Sequence, residues 1–204
     1  MTPRNRRWGD AVALLDDDDA RDRLLDAAAR CIVRRGDTQI RMAEVAEEAG
    51  VVRSTVYRYY ATRDDLLLGL LLRRIDSAYA RWVKALHRPL NAAGSIRELV
   101  LKPVVSVDHG DPLNQALYAS ESAALIPVLE LGAEALVDVM AEHIGPLFTE
   151  WKAEGQIYRD LNLRDTLQWM SATTSFLLTT SWRQRPVSAK RRFIDRYLVR
   201  ALVC

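Results

Sequence analysis

Residues Ala49–Leu66 read AGVVRSTVYRYYATRDDL. Gly50 follows the apolar-patterned segment Met42–Ala49, and a glycine there lets the backbone turn with positive φ and ends a helix. A short second helix is expected over Arg53–Tyr60. Val56, with Tyr59 or Tyr60, fills its inner side, and Arg53, Ser54, Thr55, Tyr57 and Arg58 its outer side. Two arginines, two hydroxyls and an aromatic ring on so short a helix can reach base edges and phosphates together. No acidic residue lies between Gly50 and Arg63, so nothing there repels a phosphate backbone. Thr62, with Asp65 three residues on, approximates a capping box and opens the next helix.

Upstream, Leu24, Leu25, Ala28, Cys31 and Ile32 fall at helical spacing, which predicts a helix over Ala20–Arg35. Arg34 and Arg35 suit its C-terminus and Gly36 stops it. A helix over Arg41–Ala49 then buries Met42, Val45 and Ala46. Residues 1–19 read as a flexible arm. Its Arg4, Arg6 and Arg7 either are solvated or touch phosphates or a minor groove, and Asp16–Asp19 cap the first helix.

Downstream, an apolar stripe from Leu66 through Leu70, Ile75, Tyr79 and Trp82 to Leu86 predicts a helix over Arg63–His87, roughly 35 Å long. It can join a small head to a larger body as a lever. Further helices are expected over Ile96–Val107 (opened by a Ser95/Glu98 capping box and kinked at Pro103), Pro112–Leu125, Pro127–Glu154 (bent at Gly145–Pro146), Thr166–Gln184 (capped by Asp165) and Ala189–Val203 (opened by Ser188). No stretch alternates like a strand, so the fold class is all-α.

The segments Leu24-Leu25-Asp26-Ala27-Ala28, Gly36, Val45-Ala46-Glu47-Glu48-Ala49-Gly50-Val51, Thr55-Val56-Tyr57-Arg58-Tyr59-Tyr60 and Arg63-Asp64-Asp65-Leu66 occur in order and at the right spacing. Together they resemble the amino-terminal DNA-binding domain of TetR-family transcriptional regulators, over about the first third of the chain. The resemblance implies a three-helix helix-turn-helix domain, residues 20–62. The long helix joins it to a helical effector-binding and dimerisation domain, residues 63–204. Three positions depart from the family pattern. Val52 stands where a Ser or Thr usually caps the recognition helix, Arg41 where one caps the helix before it, and Ser54 where a glycine is frequent.

The residues assign themselves roles on DNA. Arg53 can bond a guanine edge bidentately. Ser54 and Thr55 can bond bases or phosphates at the helix N-terminus. Tyr57 and Tyr59 can reach phosphate, and Arg41, Arg58 and Arg63 add phosphate contacts. By the resemblance, Arg63 holds the place where a lysine commonly grips the backbone. Composition does not announce this function. The whole chain carries a net charge of +2, and residues 1–65 hold 12 arginines against 13 acidic side chains. A DNA-binding surface must therefore arise by local segregation of charge.

The last two helices are apolar nearly all round, more than one core face requires. This points to a subunit interface through Phe176, Leu177, Thr180, Phe193, Tyr197, Leu198 and Ala201, with a central core helix as the alternative. The resemblance likewise implies a homodimer joined through these helices. It also implies a small-molecule effector pocket, for which Tyr79, Trp82, Tyr118, Met140, Phe148, Trp151 and Trp169 are the aromatic or flexible candidates. Ordinary core packing is the alternative for each.

His87, His109 and His143 are scattered, no spacing resembles a metal site, and no nucleophile or nucleotide motif occurs, so no enzyme, metal or cofactor is expected. Cys31 and Cys204 imply no disulfide framework. The short apolar run after the N-terminal arginines is no secretory signal, and no segment approaches the ~20 apolar residues of a membrane span. A cytoplasmic location is the default expectation. The expected function is a homodimeric transcriptional regulator on near-palindromic double-stranded DNA, a repressor released by a small apolar effector. The alternative is a helical ligand-binding or interaction protein whose head lacks sequence specificity.

Overall fold

The computed structural model describes residues 16–86, 91–108, 111–117 and 125–204. Among these, all regular structure is helical save one isolated bridge, Ile157 with Val203. The order is α1 Asp16–Arg35, α2 Met42–Ala49, α3 Arg53–Tyr59, α4 Arg63–Ala85, α5 Ala92–Asp108, α6 Pro112–Leu117, α7 Leu125–Leu131, α8 Ala133–Ala153 and α9 Leu163–Thr179. A 3-10 turn, Ser181–Gln184, follows. The terminal helix then runs as α10 Val187–Phe193, a π-helical stretch Ile194–Val199 and α11 Arg200–Leu202. Arg4, Arg6, Arg7, His87, His109 and Tyr118 lie outside the described residues. No described helix is long and apolar enough to cross a membrane.

Local chemistry explains most boundaries. Gly36 and Gly50 have φ of 81° and 69°, the left-handed conformation that ends α1 and α2. Thr62 Oγ1 accepts from the Asp65 amide at 3.0 Å, and Asp65 returns the bond by accepting from the Thr62 amide at 2.9 Å. This capping box opens α4.

Several expected boundaries move. α1 begins at Asp16, so the acidic run forms its first turn rather than preceding it. α5 begins at Ala92, not Ile96. Asn91 Oδ1 accepts from the Gly94 amide at 2.9 Å, Gln156 Oε1 accepts from the Ala92 amide at 2.6 Å, and Ser95 is buried inside the helix. Asn162, not Asp165, caps α9. Helix Pro127–Glu154 is two helices, broken at Gly132. A side chain there would put its Cβ 2.1 Å from Leu68 Cδ1 of α4. The expected helix to Gln184 ends at Thr179: Thr180 is extended, and its hydroxyl accepts from the Trp182 amide at 3.2 Å to cap the 3-10 turn that follows.

Two apolar cores meet along α4. Leu66, Leu67, Leu70 and Leu71 belong to the head core with α1, α2 and α3, and Leu113, Ala116 and Leu117 of α6 join them. From Tyr79 onward α4 enters the body core with α5, α8, α9 and the terminal helix. One helix therefore spans both cores.

Candidate nucleic-acid interface and ligand cavity

The turn between α2 and α3 is closed by the amides of Gly50 and Val51, which donate to Glu47 O at 3.1 Å and Ala46 O at 2.9 Å. It sets α3 with Val56 and Tyr60 buried in the head core. Arg41, Arg53, Ser54, Tyr57 and Arg58 are exposed and Thr55 is half-buried. Val52, the N-cap of α3, is exposed and supplies no side-chain bond.

The polar groups divide into two sets. Arg53 Nη2 donates to the Tyr57 hydroxyl at 2.9 Å, and its guanidinium lies 5.2 Å from that ring's centroid. Arg58 instead turns toward α1. It donates to the Tyr59 hydroxyl at 2.8 Å, which in turn donates to Asp17 at 2.8 Å. Burial and the Asp17 carboxylate together push the Tyr59 phenol above its ordinary value. Arg63, at the start of α4, donates to Asp64 at 2.9 Å and to the Gln39 side chain at 3.2 Å. Gln39 is a rim residue that the sequence did not single out; it sits in a loop with no motif.

Charge segregation resolves the near-neutral composition of the head. Glu48 is clamped by Arg30 at 2.6 Å and Arg34 at 2.7 Å, which hold its carboxyl below the usual glutamate value. Asp22 and Asp26 are engaged by Arg73 at 3.0 and 2.6 Å, and Asp37 by Arg35 at 3.0 Å. These acids are neutralised away from α3. The guanidinium groups of Arg41, Arg53 and Arg58 have no acidic partner among the described residues, though the Arg41 amide donates to Glu44 at 3.1 Å.

Among the described residues of the body, two cavities adjoin. An apolar slot of about 70 Å³ lies between α4, α8 and α9, with Ile75, Tyr79, Trp82, Met140 and Leu178 among its walls. The hydroxyls of Thr174 and Thr179 on its wall bond back to their own helix, at 3.0 Å to Met170 O and 2.8 Å to Ser175 O. Beside it opens a cleft of about 740 Å³ lined by Arg74, Arg81, Asp111 and Asn114. Ile75, Trp82 and Pro103 border both.

Of the expected effector residues, the fold brings Tyr79, Trp82 and Met140 to the slot. Phe148 and Trp151 are buried in the body core and line neither cavity, and Trp169 is 43% exposed on the outside of α9.

On the expected dimer face, Phe176, Thr180, Tyr197 and Ala201 are exposed and Phe193 is half-buried. Phe193 stacks on Phe176 at 5.5 Å and meets Tyr197 at 5.0 Å and Trp182 at 4.6 Å. Leu177 and Leu198 need correction. Both are inside the chain's own core, at 0% and 1% exposure, because each follows an outward aromatic by one helical step. Trp182 takes its place on the face, carried there by the 3-10 turn. Among the described residues no group of three or more His, Cys, Asp or Glu could hold a metal ion.

The profile of the bacterial regulatory proteins, tetR family, matches residues 24–70, the stretch from α1 into α4. An HTH-type transcriptional regulator of Mycobacterium bovis is 31% identical over 127 residues, 60% of this chain and 63% of that relative. The match thus spans just under two thirds of the relative's length. Over the whole fold, the Rhodococcus erythropolis transcriptional repressor QsdR superposes with a TM-score of 0.66 at 20% identity, covering 89% of this chain and 95% of that one. Bacillus subtilis FadR, solved in complex with stearoyl-CoA, superposes with a TM-score of 0.57 at 19% identity, covering 88% and 98%. Motif and head lead to one assignment: residues 24–70 form an amino-terminal domain of the tetR family of bacterial regulatory proteins, and the chain as a whole has the fold of QsdR and FadR.

Proposed function

We propose that this chain is a homodimeric, sequence-specific DNA-binding regulator of transcription, acting in the cytoplasm as a repressor that a small effector with an apolar portion releases from its operator. The outward set on α3 carries this reading: Arg53, Ser54 and Tyr57 are exposed on a short helix with no acidic group from Gly50 to Arg63. Two such helices in a dimer joined through the Phe176–Phe193–Tyr197 face enter successive major grooves about 34 Å apart.

The slot supplies a mechanism for release. At about 70 Å³ it is smaller than a cavity of about 150 Å³ that accepts benzene. An occupant must therefore push Ile75, Tyr79 and Trp82 away from α8 and α9. These residues are on α4, whose first half lies in the head core, so the occupied conformer carries the head differently. The effector lowers operator affinity only to the extent that it prefers this conformer. The stearoyl-CoA in complex with the B. subtilis protein of the same fold supports a small-molecule effector.

Selection of bound sequences from random duplexes tests the reading. The expected result is a near-palindrome with half-sites about one helical turn apart. Affinity should fall steeply with salt while the specific-to-random ratio stays large. Equal binding of selected and random duplexes overturns it in favour of a head without sequence specificity.

A further inference from the structure

Helical periodicity lays two chemically different stripes side by side on α4. Ile75, Tyr79 and Trp82 face the apolar slot, while Arg74, Ser77 and Arg81 border the cleft next to it. A molecule lying across Trp82 would have one end among apolar side chains and the other among arginines.

The cleft's charges are unequally committed. Arg73 is spent on Asp22 and Asp26 of α1. Arg74 donates to Asp111 and, at 2.8 Å, to Asn114 Oδ1. Arg81 is exposed and has no hydrogen bond or ion pair among the described residues. Asp111 is the one acidic side chain among the cleft's lining residues. Among the described residues the mouth therefore carries an uncompensated positive charge next to an apolar slot.

Arg74 is also tied to the head. Asp111 Oδ1 accepts from the Leu113 amide at 2.9 Å and caps α6, whose Leu113, Ala116 and Leu117 pack in the head core. Burial raises the Asp111 carboxyl, but Arg74 and the amides of Asn114 and Leu113 outweigh it and hold the group below its ordinary value. Losing Arg74 would leave this carboxylate partly desolvated with the amides alone.

Resting on the effector reading above, we propose that the effector is an amphiphile with an anionic headgroup. The headgroup sits between Arg81 and Arg74 and draws Arg74 from Asp111 and Asn114. The start of α6, and through it α1, thereby senses occupancy alongside the tilt of α4. Guanidinium is suited to this exchange, since it binds carboxylate and phosphate oxygens through the same fork of N–H groups.

The test uses the full chain and three probes with one tail, below their micellar concentrations: dodecanoate, dodecyl phosphate and 1-dodecanol. Binding is measured by titration calorimetry and release from the selected duplex by fluorescence anisotropy. The two anions should bind at least about tenfold more tightly than the alcohol, the scale of one charge-assisted contact. Arg81→Gln should collapse that ratio toward one, and its exposed position spares the fold. Asp111→Asn keeps the cap acceptor but frees Arg74. It should weaken duplex binding without any probe and blunt the response to dodecanoate.

Dodecanol binding as tightly as the anions overturns the headgroup assignment and leaves an apolar effector standing. Failure of all three probes to bind overturns the proposal, while duplex affinity without probe independently decides the DNA reading. An Asp111→Asn chain that matches wild type in duplex affinity and in dodecanoate response overturns the Arg74 exchange.

Discussion

Arg53 and Tyr57 stand one turn apart on α3 and hold each other: the guanidinium donates to the phenol oxygen at 2.9 Å while its carbon lies over the ring, 5.2 Å from the centroid. The pair restrains a long side chain that would otherwise lose much rotamer freedom on reaching a base. Arg53→Ala should therefore weaken binding to the selected duplex by about 1–3 kcal/mol and relax preference at one base position, with random duplex almost unaffected. Tyr57→Phe keeps the ring and removes the acceptor, so it should lose less. Anisotropy titrations on both duplexes measure this; equal losses on the two would remove Arg53 from base readout.

Arg63 makes the contrasting case. It sits at the N-terminus of α4 with its guanidinium shared between Asp64 and Gln39. A phosphate would complete that cluster without reading sequence. Arg63→Ala should weaken selected and random duplexes alike and reduce the slope of log affinity against log salt by about one. An unchanged slope would place Arg63 off the DNA.

The head was legible because its signals are local. Gly36, Gly50 and the Thr62/Asp65 box act within a few residues of the boundary they set, so reading the chain places α2, α3 and the start of α4 within a residue. Boundaries fixed across the fold were not legible. At the break, position 132 suits glycine because Leu68, on another helix, occupies the space a side chain would need. The early start of α5 depends on Gln156, 64 residues away in sequence. The same distinction governs the sites. Side-chain type named Tyr79, Trp82 and Met140, but named Phe148, Trp151 and Trp169 with them, and a sequence rich in apolar residues could not separate the outward Phe176 and Tyr197 from their inward neighbours Leu177 and Leu198.

That separation can be measured. Tyr197 is 57% exposed and Leu198 1% exposed, one residue apart in the π-helical stretch. Tyr197→Glu places a charge in the aromatic face without entering the protomer's core. It should shift sedimentation from dimer to monomer and weaken palindromic DNA more than a half-site. Leu198→Ala opens the body core instead and should lower unfolding stability by about 2–5 kcal/mol. A Tyr197→Glu chain that still sediments as a dimer would show that the subunits meet elsewhere.

Acid should loosen the head at the α1–α2 clamp. Glu48 is held below its ordinary value chiefly by the hydrogen bond from Arg34, then by that from Arg30. A carboxyl depressed in the folded state adds stability that is fully present above its unfolded pKa and is lost as pH falls through the folded one. The difference in thermal stability between wild type and Glu48→Gln should therefore be steady near neutrality and shrink as pH drops below the ordinary glutamate value. The pair is solvent-exposed, so the effect should also fade with added salt. A difference independent of pH would mean that Glu48 acts through packing.

The joint between recognition helix and lever rests on Gly69. A Cβ there would lie 3.0 Å from Tyr60 Cε1 and 3.5 Å from Leu25 Cδ2. Tyr60 follows α3 directly and is buried in the head core, so it has little room to retreat. Inside an ordinary helix, alanine is favoured over glycine by about 1 kcal/mol. Here overpacking should reverse that sign, and Gly69→Ala should destabilise the chain by about 1 kcal/mol in urea unfolding. Tyr60→Leu removes the ring edge, so in that background Gly69→Ala should recover the gain that helix propensity predicts. The coupling between the two sites should then exceed about 1 kcal/mol. Additive effects would show that Tyr60 shifts freely. In that case α3 is only loosely referenced to α4, and movement of the lever would reach the DNA-reading residues by another route.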